Sequence, residues 1–243
     1  MTLVLAHVAK SFRKRGVSVP VLSNVSAVFE PGQSLCILGA PKSGKSTLMR
    51  ILAGEIRPDS GWVHREGRVS YLVGSSIGRM GSVTVREAIA FMARLYGFRT
   101  REIVDFTVDF AELGPVLMQQ VEKLSKDESA RLAYTLSYAL PFDIYLADES
   151  LVSGPPSFQD RCAALIAERR KTSGLVITTA KVRKARDFAD RGGVLHNGEL
   201  SLFPTLDEAI EAYEALNPLY EAYETLPEEP VEDEDSPAEA ELF

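Results

Sequence analysis

Long apolar runs, cysteines, a signal-like start and an excess of basic charge are what this chain lacks. No uninterrupted apolar stretch approaches the roughly 18 residues that a membrane span needs. The most apolar-looking stretch, residues 132–147, is broken by Pro141 and Asp143. The N-terminus does not follow the basic, apolar, small-residue order of a secretory signal, so the protein is expected on the cytoplasmic side, peripheral to any membrane it serves. Only 2 cysteines occur in 243 residues. Cys36 and Cys162 have no metal-ligand spacing, which excludes a cysteine-built metal centre and leaves both as small buried hydrophobes. The formal charge is −7, and residues 228–243 hold eight carboxylates with no Lys or Arg. Setting that tail aside brings the rest to about +1, a near-neutral body that argues against general nucleic-acid binding. At 45% hydrophobic residues the chain has material for one large domain, or one domain with a subdomain.

What is present centres on residues 39–47, Gly39-Ala40-Pro41-Lys42-Ser43-Gly44-Lys45-Ser46-Thr47. They fit the phosphate-binding pattern G-x-x-x-x-G-K-[ST]. The apolar run 34–38 before them reads as a buried strand. Leu48, Ile51 and Leu52 after them mark one helix face. Strand, glycine loop and helix is the order the chemistry needs, because successive backbone N–H groups and a helix N-terminus then converge on one anion. Lys45 is expected to reach the β- and γ-phosphates and Ser46 to place its hydroxyl on Mg²⁺. About a hundred residues on, the apolar strand 144–147 ends in Asp148-Glu149. That puts two carboxylates at the carboxyl edge of a sheet, where open α/β sheets bind ligands. Asp148 suits Mg²⁺, directly or through water, and Glu149 suits the general base that polarises the attacking water.

The remaining pattern is α/β. Residues 3–8 and 21–29 read as strands separated by an exposed loop or strand end at 10–16, and short strands follow at 62–64 and 69–73. From 84 to about 139 the period turns helical. One apolar face carries Ala88, Ile89, Met92, Leu95 and Tyr96, and a second carries Ile103, Phe106, Phe110 and Leu113. A third helix spans 125–139. Beyond Glu149 come a helix at 158–170, a strand at 174–179, a helix at 182–189, a hairpin turning at Asn197-Gly198, and a helix at 206–216. The acidic, Pro-containing stretch after Pro227 has a disordered composition.

In this order the parts resemble an ABC-transporter ATPase subunit over residues 1–209, and most closely the subunits that energise capsular polysaccharide export. The carriers are Arg57-Pro58-Asp59-Ser60-Gly61, Phe91-Met92-Ala93-Arg94-Leu95-Tyr96-Gly97, Phe110-Ala111-Glu112-Leu113-Gly114, and Asp148-Glu149 with Phe158-Gln159-Asp160-Arg161-Cys162. The resemblance implies a P-loop nucleoside triphosphatase fold of the ABC ATPase type, with an antiparallel β subdomain and a helical subdomain at about 82–140. A helical extension at 210–226 and the acidic tail 227–243 would follow. It also implies ATP and Mg²⁺ as cofactors, with Gly39 to Thr47 as the phosphate site and Phe12 as the aromatic that stacks on adenine. As an alternative, Phe12 simply packs the rim of the sheet. Such subunits pair head to tail as homodimers or heterodimers on a membrane-spanning subunit at the inner membrane. Each ATP then lies between one chain's phosphate loop and the other's signature helix.

Several positions depart from that family pattern. Its fourth loop residue, usually glycine, is Lys42, and Pro41 beside it has no N–H to donate. The signature is Leu124-Ser125-Lys126-Asp127-Glu128, with Asp127 at the second glycine. Ser125 and Glu128 form S-x-x-E, a capping box that satisfies helix N–H groups internally. Asp127 also sets a negative charge where the facing γ-phosphate approaches. At ~4 Å and a dielectric of ~20 each pair of unit charges repels by about 4 kcal/mol, against ~0.3–1 kcal/mol for a favourable dipole contact. The family's glutamine has no clear counterpart, with Gly74 or Met80 in its region; its switch histidine is Ala180, and the aspartate after the Asp-Glu pair is Pro155.

Two functions follow: a transport ATPase driving polysaccharide export, slowed by these changes, or a degenerate, weakly hydrolysing nucleotide-binding module with a structural or regulatory role. A small-molecule P-loop kinase fits poorly, because the early strands and the helical insert have no role in one.

Overall fold

A computed structural model describes residues 2–14, 16–30, 32–75 and 80–226, the side chain of Lys14 excepted. The acidic tail, and residues 76–79 in the region where the family's glutamine was sought, lie outside the described residues.

Two sheets organise the chain. The first is antiparallel and three-stranded, in the order β2-β1-β4, from β1 (Leu3–Lys14), β2 (Val17–Phe29) and β4 (Ser60–Arg65). β1 runs through most of the stretch read above as an exposed loop or strand end, pairing Phe12 with Val19 and Lys14 with Val17. The reason is a pair of register shifts between Leu5 and Lys10, with His7 at φ +53°. Each bulge resets the two-residue alternation that marks a strand. The second sheet has six strands, in the order β5-β6-β7-β3-β8-β9. These are β3 (Ser34–Leu38), β5 (Val69–Leu72), β6 (Ile144–Asp148), β7 (Gly174–Thr179), β8 (Arg191–His196) and β9 (Glu199–Phe203). All are parallel except β9, which turns back through Asn197 (φ +50°) and Gly198 (φ +80°), the left-handed pair a two-residue hairpin requires. β3, β6 and β7 are buried along their whole length, as expected for parallel strands covered on both faces.

One core lies between the two sheets. Helix α1 (Lys45–Ala53) inserts Leu48, Met49, Ile51 and Leu52 there, against Leu3, Leu5 and Val8 of β1. The other face of the six-stranded sheet packs against α5 (Pro156–Arg170), α6 (Val182–Phe188) and α7 (Leu206–Leu216), and continues into the helical region. That region comprises α2 (Val85–Leu95), α3 (Thr100–Ala111) and α4 (Lys126–Ala139). Its inward faces are those read off the sequence except at Leu95 and Phe106. Val85, Ala88, Ile89 and Met92 of α2 are buried, but Leu95 is 61% exposed. On α3 the buried residues are Ile103, Thr107 and Ala111, while Phe106 turns outward to stack on Phe110 at 5.5 Å. Small side chains let α3 approach its neighbours, and the large aromatics cover its flank.

Helix α7 packs on β8 through Leu206, Ala209, Ile210 and Tyr213. Gly192 permits this, because a Cβ there would stand 2.3 Å from that of Ala209. The boundary expected at residue 209 thus falls inside α7. A single turn, α8 (Tyr220–Glu224), follows. Both cysteines are buried and unpaired, and burial pushes the Cys162 thiol up to about 12. Among the described residues no helix is long and apolar enough to cross a membrane.

Candidate functional site

The site forms where β3, β6 and β7 end side by side. The register pairs Leu38 with Thr179 and Asp148 with Thr178, which sets the loop after β3 and the two carboxylates on either side of β7 at one sheet edge.

Residues 39–44 wrap tightly: Ser43 N–H donates to the Ala40 carbonyl at 3.1 Å, and Gly39 N–H to that of Thr179 at 3.2 Å. Two positions tolerate no side chain. A Cβ on Gly39 would meet Ser43 Oγ at 2.5 Å, and one on Gly44, at φ +101°, would meet Val21 Cγ1 at 2.9 Å. Lys42 also stands in the left-handed region, at φ +64°. This explains the family's glycine there, since a side chain at that φ costs roughly 1–2 kcal/mol. Gly44 caps α1 without any side-chain hydrogen bond, so the first N–H groups of that helix are open to an anion. Two helices of the insert, α2 and α4, begin instead in complete capping boxes, Thr84 with Glu87 and Ser125 with Glu128, while α3 starts at Arg99 without a side-chain cap.

Lys45 is 6% exposed. Its ammonium group donates to the carbonyls of Gly39 (3.0 Å) and Ala40 (3.1 Å) and lies 3.5 Å from Glu149 Oε1. Ser46 is exposed on the first turn of α1, with Thr47 half-buried beside it. Ser43 Oγ is buried with no hydrogen-bond partner among the described residues, an orphaned donor of the kind a bound ligand satisfies. Pro41 is half-buried and contributes no N–H.

Asp148, 6% exposed, accepts a hydrogen bond from the Thr178 hydroxyl on one oxygen. Glu149 stands at φ +61°, with its N–H on the Thr178 carbonyl at 2.9 Å and its Oε2 accepting from Thr179 Oγ1 at 3.1 Å. Burial pushes the Glu149 carboxyl above the usual range, and Lys45 and the Thr179 hydroxyl pull against it. A carboxylate and a hydroxyl, all-oxygen donors, fit a hard cation such as Mg²⁺.

Phe12 lies elsewhere on the edge of the antiparallel sheet, half-buried, with Lys10 Nζ 5.4 Å from its ring centre. It faces Val19, two residues along β2 from the Val21 side chain that closes on Gly44.

At the signature, Ser125 Oγ accepts the Glu128 N–H at 3.2 Å, and the Glu128 carboxylate accepts the Ser125 N–H at 2.8 Å. The Asp127 charge does not stand alone. Arg131 Nε lies 3.2 Å from Asp127 Oδ2, at ion-pair distance without hydrogen-bond alignment. Arg131 also donates to the Ala111 carbonyl at 2.6 Å, and so ties α4 to the end of α3. Ala180 is buried, and Pro155 is the N-cap residue of α5, without a side-chain cap.

Sequence reasoning had named Thr178 and Thr179 only as the end of a strand. Their hydroxyls grip the two site carboxylates, and the signal that pointed to them was a Thr-Thr pair ending a strand beside the one that ends in Asp-Glu. The Arg131 partnership was legible only as an i, i+4 spacing from Asp127.

Comparison with known proteins matches this architecture. The family model described as ABC transporter matches residues 22–152. The chain is 33% identical over 210 residues to the capsule polysaccharide export ATP-binding protein CtrD of Neisseria meningitidis serogroup B, covering 86% of this chain and 97% of that one. It is 34% identical over 212 residues to the polysialic acid transport ATP-binding protein KpsT of Escherichia coli, covering 86% and 97%. Among solved structures, the dimeric post-hydrolysis state of the ATP-binding cassette MJ0796, bound to ADP and Pi, superposes with a TM-score of 0.68 at 19% identity, over 84% of this chain and 98% of that one. With a matching family model over more than half its length, a phosphate loop on an uncapped helix and an Asp-Glu pair at the same sheet edge, this chain belongs to the ABC transporter family, as one of its ATPase cassettes.

Proposed function

We propose that this chain binds Mg-ATP at residues 39–47 and couples its hydrolysis to export of a capsular or related polysaccharide, through a membrane-spanning subunit on the cytoplasmic face of the inner membrane. The observation that carries the reading is the uncapped N-terminus of α1 together with the buried Lys45, whose ammonium group lies 3.5 Å from Glu149 at the sheet edge that also carries Asp148. The cargo and the membrane partner rest on what CtrD and KpsT are named for. The paired arrangement rests on the dimeric cassette MJ0796.

In this reading the loop N–H groups and the N-terminus of α1 take up the phosphates, and the Lys45 ammonium exchanges the carbonyls of Gly39 and Ala40 for phosphate oxygens. Ser46 and Asp148 would hold Mg²⁺, which neutralises charge on the β- and γ-phosphates. Glu149, aimed by Thr179, accepts the proton of the attacking water. Phe12 offers a face to the adenine at the rim. Residues 1–209 would form the cassette, ending within α7, with the rest of α7 and α8 as an extension.

A second reading, a weakly hydrolysing module, is favoured by the sealed N-terminus of α4 and by Ala180, since loss of one preorganised donor slows catalysis by about 10²–10³. Steady-state ATPase assays with and without the membrane subunit separate the two. Turnover that disappears in Glu149→Gln supports the transport ATPase. Absence of turnover in both states supports the module.

A further inference from the structure

The segment between β7 and α6 touches the site at one end and the C-terminal helices at the other. Thr179 Oγ1 donates to Glu149 Oε2 at 3.1 Å and accepts the Lys181 N–H at 3.0 Å, so the turn that follows orients this hydroxyl. One residue on, the Ala180 carbonyl accepts the Tyr213 hydroxyl of α7 at 3.0 Å. Tyr213 is 0% exposed. In the first turn of α6, the Arg183 N–H donates to the Glu224 carboxylate of α8 at 3.0 Å.

We propose that Tyr213 is a positioning residue for hydrolysis: α7 and α8 clamp residues 180–183 from behind and, through Thr179, hold the Glu149 carboxylate in place. Ala180 has only a methyl group, so this segment has no side chain at that position to anchor it to a ligand. Its placement falls to the buried side chains of Ala180 and Val182 and to main-chain contacts. The contact to Tyr213 is the buried one, and a buried hydroxyl and a buried carbonyl each need a partner. α7 cannot drift closer, because Gly192 and Ala209 already meet without room for one more methyl. A general base displaced by about 1 Å loses up to about 10² in rate, so a clamp on its hydroxyl partner acts on turnover rather than on binding. The inference rests on the reading of Glu149 as the general base.

The test uses the full chain and three variants, Tyr213→Phe, Thr179→Val and their combination, with Glu149→Gln as reference. Tyr213→Phe keeps the ring in the core and removes only the hydroxyl. Its kcat is expected to fall about 3–10-fold, as loss of one hydrogen bond would give, with KM for ATP unchanged. Thr179→Val is expected to fall likewise, and the double variant no further than the worse single, because both lie on one path. Native kcat in Tyr213→Phe while Glu149→Gln is inactive overturns the clamp and leaves the general base standing. So do additive losses, or a KM that rises with no change in kcat. Full turnover in Glu149→Gln overturns the general-base reading, and the clamp with it. If Tyr213→Phe fails to fold, Glu224→Ala, which removes the acceptor of the Arg183 N–H, carries the test: a reduced kcat at native KM supports the clamp, and native kcat overturns it.

Discussion

In the proposed head-to-tail pair, Asp127 would stand where the γ-phosphate on the partner's phosphate loop approaches α4. Its side chain is 46% exposed and lies 3.2 Å from Arg131 Nε. Asp127→Asn removes one negative charge and leaves the Ser125–Glu128 box intact. Two unit charges ~4 Å apart repel by about 4 kcal/mol at a dielectric of ~20 and by about 1 kcal/mol in bulk water. A half-exposed carboxylate with a guanidinium at hand belongs near the lower figure, about 1–2 kcal/mol. The MgATP-dependent homodimer, held in a hydrolysis-blocked Glu149→Gln background, contains two such contacts, so it should tighten by about 2–4 kcal/mol, roughly 30–900-fold. The isolated chain loses the favourable contact of Asp127 with its own helix N-terminus, about 0.3–1 kcal/mol, so its Tm should drop slightly. Opposite signs for dimerisation and stability are the signature of a charge placed against a ligand. Sedimentation velocity with and without MgATP reads the first effect and thermal denaturation the second. The gain in dimerisation must shrink as salt is raised. An unchanged dimer constant at low salt, or a gain indifferent to salt, refutes the reasoning.

Two further outcomes follow from the local geometry. Lys42→Gly relieves a left-handed residue and should raise unfolding stability by about 0.5–1 kcal/mol, the gross gain of roughly 1–2 kcal/mol being cut by glycine's greater freedom in the unfolded chain. Urea denaturation checks it, and a loss of stability would count against strain at that position. The Ser125 hydroxyl and N–H hold the Glu128 carboxyl below its usual range. Its capping contribution is thus fully present above the unfolded value of about 4.3 and disappears as pH falls through the lower folded value. The stability difference between native protein and Glu128→Gln should close on acidification through that window, and a difference constant with pH would contradict the box.

Much of the architecture was legible because it is written locally. The phosphate loop, the all-buried strands β3 and β6, the Asn197-Gly198 turn and the capping box at Ser125 each occupy a few consecutive residues whose chemistry permits little else. The parts that were missed depend on distance in the chain. β1 was cut short because its bulges break the alternation that announces a strand. The outward turn of Phe106 is settled by the close packing of Thr107 and Ala111, which hydrophobicity ranks below two phenylalanines. At the site, the residue types of Asp148 and Glu149 were readable. The hydroxyls that aim them come from a strand some 30 residues later, and the tyrosine behind those from a helix later still. Arg131 tempers the Asp127 charge that the sequence presents bare, which lowers the repulsion to be overcome without unsealing α4.

The central claim is that backbone amides, the Lys45 ammonium and a metal together grip a nucleotide triphosphate at residues 39–47. Isothermal titration of the full chain with MgATP, beside Lys45→Ala, tests it most directly. The account predicts saturable one-site binding by the native chain and its loss in the variant; no heat of binding, or binding indifferent to Lys45, would contradict it.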